Sequence, residues 1–102
     1  MMKLKVFSII IVNIFYCQNI FSQNIFEGII FDKATDSILN NVQIFDFYDG
    51  FITESKRNGE FVFESLKDDI KLVFYKQGYD YRIIDISKQD SNFRVLLNPV
   101  FF

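Results

Sequence analysis

The sequence contains no histidine, a single cysteine and a single proline. Without histidine the commonest general base and metal ligand is missing, and so is every Ser–His–Asp or Cys–His arrangement. The one cysteine, Cys17, falls in an N-terminal segment with the marks of an export signal, so the rest of the chain has neither disulfide nor thiol chemistry. A transmembrane anchor is the rival reading of that segment, and its length argues against it. A span needs ~20 apolar residues, whereas the apolar run 6–16 contains Asn13 and is followed by Gln18 and Asn19. Basic charge is also scarce. Removing Lys3 and Lys5 with the signal leaves nine basic residues against 13 acidic ones, a net charge of −4. An acidic chain with scattered Lys and Arg lacks the basic stripe that phosphate backbones require, which excludes nucleic acid as the partner.

What is present is a dense supply of core. Half the residues are hydrophobic and 19% are aromatic, with 14 Phe and 5 Tyr among 102 residues. That content is far from the disordered class. Lys3 and Lys5, the run 6–16 and the end Ile20-Phe21-Ser22 form the three parts of a secretory signal. Residues 1–22 are therefore expected to be a signal peptide cleaved after Ser22, leaving residues 23–102 as one small domain. Lipid attachment at Cys17 is disfavoured by the bulky Tyr16 before it.

From Asn24 onward no stretch keeps a helical period for two turns, and short alternating runs of Ile, Val, Phe and Tyr recur instead. Strands are expected at 25–32, 41–48, 51–55, 60–64, 70–76, 81–86 and 92–97. Seven strands about every ten residues read as an all-β antiparallel sandwich. Asp49-Gly50 and Asn58-Gly59 supply the positive φ of tight hairpin turns, while Asp68-Asp69 and Gln77-Gly78 mark two more turns. Pro99 closes the last strand.

These residues resemble a known family. Gly28-Ile29-Ile30-Phe31-Asp32, Thr35 and Leu39, Val42-Gln43-Ile44, Asn58-Gly59-Glu60-Phe61, Gly78-Tyr79 and Val95-Leu96-Leu97 occur in the order of a carboxypeptidase regulatory-like domain. The resemblance covers essentially all of residues 23–102. It implies a seven-stranded transthyretin-like (prealbumin-like) sandwich, as found beside metallocarboxypeptidases and at the N-terminus of TonB-dependent outer-membrane receptors. The chain departs from the family pattern at Asp36, Ile38 and Lys56, all expected in loops. The resemblance is to a companion of a peptidase, and no zinc-binding His and Glu set is present for peptide cleavage.

Carboxylates are the remaining catalytic candidates. Asp32 with Asp36, Asp46 with Asp49, and Asp68 with Asp69 each read more simply as turn formers than as acid/base pairs. A calcium site at Asp46 and Asp49 lacks the alternating acidic pattern of a calcium loop. No catalytic residue, metal site or cofactor is therefore expected. The aromatics are more informative. If Val42, Ile44, Phe61, Phe63, Leu72 and Phe74 point inward, alternation sends Phe45, Phe47, Val62, Val73 and Tyr75 outward. Cover by loops, by the end segment 100–102 or by a bulge would make these residues part of the packing. Otherwise they form an interaction face. The expectation is a non-enzymatic interaction or structural module of the cell envelope, exported to the periplasm, the outer membrane or the medium. Its partner is another envelope protein or its own copy. The alternative is a carbohydrate-binding module in which Tyr48, Tyr79 and Tyr81 stack on sugar rings.

Overall fold

The computed structural model describes residues 23–100 except Gln89 and Ser91; the signal peptide expected at 1–22, with its cleavage after Ser22, lies outside the described residues. Seven strands follow one another: β1 (Asn24–Asp32), β2 (Gln43–Asp46), β3 (Gly50–Glu54), β4 (Glu60–Ser65), β5 (Asp69–Tyr75), β6 (Arg82–Ser87) and β7 (Phe93–Leu97). They form a three-stranded sheet in the order β4-β1-β7 and a four-stranded sheet in the order β3-β2-β5-β6. The expected seven-stranded sandwich is present. Every pair within it is antiparallel except β1 with β7, which run parallel. That exception has a topological cause. β7 enters the smaller sheet after a crossover from β6, so no tight hairpin dictates its direction.

Period-two alternation decides what each strand buries. Along β1, Phe26, Gly28, Ile30 and Asp32 face inward while Ile25 and Glu27 face out. Ile44, Phe61, Phe63, Ile70, Leu72, Phe74, Val95 and Leu97 complete the layer between the sheets. The six inward positions expected from alternation are all buried. Gly28 explains itself through its neighbours. It pairs with Phe61 on one side and Phe93 on the other, and those two rings stack at 6.4 Å with 14° between their planes. A Cβ on Gly28 would lie 2.8 Å from the Phe61 ring and from the Phe93 carbonyl oxygen. Only glycine lets the ring lie there.

Several boundaries differ from the sequence reading for local reasons. β2 ends at Asp46 instead of residue 48 because the Asp46 carboxylate accepts the backbone N–H groups of Tyr48 (2.8 Å) and Asp49 (3.2 Å), turning the chain. Its start is delayed to Gln43 by Asn41, whose φ is 55°. The Asp49-Gly50 turn joins the paired strands β2 and β3 as a hairpin. Asn58-Gly59 does not. It carries the chain from β3 in one sheet to β4 in the other, in a loop closed by Lys56 N–H to Glu60 O and Gly59 N–H to Lys56 O, both 2.8 Å. Gly59 has a φ of 79°, as the dipeptide demanded, and its carbonyl accepts the Ile30 N–H at 3.0 Å.

Candidate functional site

The four-stranded sheet turns an apolar face outward. Its register places Phe51 opposite Phe45, Phe45 opposite Val73, and Val73 opposite Ile83, so one row crosses all four strands. Phe51 and Ile83 are 59% and 41% exposed, and the Phe45 and Phe51 rings meet edge to face at 5.7 Å. The bulge allowed for in the sequence occurs on β3, where the register shifts between Ile44 and Phe45 and Ile52 packs toward the core. It does not reverse Phe45. Tyr75, 43% exposed, flanks the row at one end beside Gln43. Phe47, 47% exposed, flanks it at the other, with the Lys71 ammonium 4.5 Å from its ring centre and Tyr48 against its edge.

Of the five residues singled out from alternation, the structure brings Phe45, Phe47, Val73 and Tyr75 to this face. Val62 lies elsewhere. It is on β4, pointing out from the three-stranded sheet, where Glu27 pairs with it and Glu60 and Glu64 flank it along its strand. That outer face is broken by charge, including Arg94 over the Phe31 ring. Phe51 and Ile83, by contrast, were missed. Their strands were legible, yet only the order β3-β2-β5-β6 shows that they extend the Phe45–Val73 pair.

The carboxylates are engaged in turns and ties. Asp32, buried at the end of β1, accepts the N–H groups of Ala34 (2.7 Å) and Thr35 (3.1 Å), and the Tyr79 hydroxyl donates to its other oxygen at 2.7 Å. The Tyr79 bond is the chief reason its pKa is held below 3.8, and the same bond raises that of Tyr79. The Asp36 backbone N–H donates to the Asp32 carbonyl oxygen at 2.8 Å, while its exposed carboxylate lies 3.4 Å from Arg94. Lys67 bridges Asp46 at 2.6 Å and Asp49 at 2.7 Å, so an ammonium occupies the place between the two carboxylates considered for calcium. Burial pushes the Asp46 carboxyl up, but the Lys67 hydrogen bond and the two turn N–H groups outweigh it and leave the pKa lowered. Lys67 is correspondingly raised, chiefly by its bond to Asp46. Among the described residues no group of three His, Cys, Asp or Glu is arranged to hold a metal.

These shifts set a pH dependence. A carboxyl with a lowered folded pKa contributes stability that is present above its unfolded value and is lost as pH falls through the folded one. The melting temperature is therefore expected to hold from neutral pH down to about 5 and then to fall below the ordinary value of 3.8. Asp32→Asn and Asp46→Asn should each be less stable at neutral pH and show a shallower acid decline. Thermal melts across pH check this, and an unchanged acid slope in both variants would contradict it.

The tyrosines proposed for sugar stacking do not converge. The Tyr79 hydroxyl is committed to Asp32 and its ring packs against the core. Tyr48 follows β2 near the Asp69 end of the sheet, and Tyr81 precedes β6 at the Tyr75 end, so the length of β5 separates them.

No family model matches the sequence, and no curated protein does. Solved structures do provide a match. In fold, this chain is similar to a shaft pilin. The likeness is to a double mutant of SpaA from Lactobacillus rhamnosus GG, with a TM-score of 0.59 and 13% identity over 79% of this chain. This chain covers 47% of that one, about half its length. The likeness agrees with the seven-stranded β-sandwich and is confined to the fold.

Proposed function

We propose that the chain is an exported, non-catalytic β-sandwich module of the cell envelope that works by docking on a protein partner, another envelope protein or its own copy, through the outer face of its four-stranded sheet. The observation that carries this reading is the Phe51–Phe45–Val73–Ile83 row. The outer face of a two-layer sandwich is ordinarily polar, and contiguous exposed apolar patches mark interaction surfaces. Each side chain fully buried against a partner is worth about 1.5–3 kcal/mol. The signal-like segment and the resemblance to the leading domains of outer-membrane receptors support an envelope setting. The non-catalytic assignment is supported by the two buried acids, which are held ionised where an acid catalyst needs a raised pKa.

Crosslinking in intact cells tests the reading. The double substitution Phe47→Ser with Tyr75→Ser removes the two flanking aromatics while the buried core stays intact. The expected result is a folded protein that loses the crosslinked species given by the parent. Unfolding would place the pair in the packing of the domain. Unchanged crosslinks, or none from the parent, would refute the docking face.

A further inference from the structure

The outer face of the four-stranded sheet is polar at both ends, and one end is the more acidic. One end holds a groove lined by Tyr48, Asp69, Lys71, Asp85 and Asp90, three carboxylates to one ammonium. The other holds a groove lined by Asn41, Gln43, Tyr75, Lys76 and Gln77, where amides predominate and Glu54 stands beside Gln43 as a single carboxylate. Between them lies the apolar row. Resting on the docking reading above, we infer that the occupant of this face is a second copy of the chain, packed sheet on sheet about a two-fold axis that runs across the strands through the Phe45–Val73 row.

Three features point to a copy. A two-fold interface must be complementary to itself, and this axis lays the apolar row on its own equivalent. It also sets the acidic end of each copy against the amide-rich end of the other, so Asp69 approaches Gln77 and Lys71 approaches the Tyr75 ring twice over. Aligned sheets pack this way in sandwich cores, with their strands within about 30° of each other. The area is sufficient too. The exposed parts of Phe47, Tyr48, Phe51, Tyr75 and Ile83, together with the half-buried Phe45 and Val73, amount to roughly 500–700 Å² per copy, on the threshold of a standard interface of ~800 Å² per partner. The flanking polar ends supply the remainder.

Sedimentation velocity over a concentration series, on the protein in the form cells export, reads the association directly. The parent should sediment as a dimer and dissociate on dilution. Ile83→Lys places a charge at the β6 end of the row, at an exposed position, and should weaken association by at least about tenfold, the effect of a modest loss of binding free energy, with an unchanged urea midpoint at concentrations where the parent is monomeric. Phe51→Lys gives the same reading at the opposite edge strand, β3. Tyr75→Lys should weaken the dimer by facing Lys71 of the other copy, and adding Lys71→Glu should restore it, because the swap rebuilds the contact only across the two-fold. A parent that stays monomeric to about 0.1 mM, far above the range of stable complexes, would overturn the inference. So would a dimer indifferent to Ile83→Lys and Phe51→Lys, or a charge swap that fails to restore association. Cell crosslinks to a species of different mass, alongside a monomeric parent, would refute the copy while the docking face stood.

Discussion

Phe61→Ala is expected to leave the domain largely unfolded in the absence of denaturant. Phe61 is 1% exposed, and its ring touches Phe74 at 5.5 Å and stacks with Phe63 and Phe93 at 6.4 Å each. It also fills the space that the missing side chain of Gly28 leaves. Truncating a buried Phe costs about 3–5 kcal/mol, because the surroundings collapse only partly into the cavity. A single small core without disulfides supplies about the same amount in total. Phe51→Ala is the matched control, since that ring is 59% exposed. It should shift a urea midpoint little, apart from any contribution of association through the face. A Phe61→Ala midpoint close to that of the parent would show that the layer between the sheets is not the main source of stability.

Gly59→Val is expected to be more damaging than the same change at the other positive-φ glycines. The position has a φ of 79°, where a β-branched side chain is strained, at a cost of roughly 1–2 kcal/mol. Strain is only part of the cost. A Cβ there would stand 3.0 Å from the Ile38 Cβ and 3.1 Å from the Ile30 carbonyl oxygen, which is backbone and fixed in β1. Gly78 separates the two terms, because it has a φ of 91° with nothing within 4 Å of a Cβ. Gly78→Val should therefore lose more than ~1 kcal/mol, and Gly59→Val should lose more still. Equal losses measured by urea unfolding would assign the whole effect to the dihedral and contradict the steric contact.

The existence of the strands was legible because their period-two alternation is local. Phe61, Val62 and Phe63 announce one buried, one exposed and one buried side chain without reference to the rest of the chain. Which strands are neighbours is not local. Nothing in residues 58–59 distinguishes a hairpin within a sheet from an arch between sheets, so Asn58-Gly59 read as the former and serves as the latter. The same limit separates Val62 from the other four face residues and hides Phe51 and Ile83. Ile83-Ile84 is a doublet, and either could face out until the pairing of Val73 with Ile83 settles it. The ties between loops were illegible for the same reason, since Tyr79 and Asp32 meet at 2.7 Å across 47 positions of sequence.

The account turns on the claim that one sheet face docks and the other does not, and a photo-crosslinking side chain installed at single positions in living cells measures this. Ile83 and Val62 are suitable sites, 41% and 42% exposed on opposite outer faces. Their matched exposure removes accessibility as an explanation for any difference. The account predicts a discrete crosslinked product from position 83 and none from position 62. A product from position 62 alone, or products of equal yield from both, would contradict it.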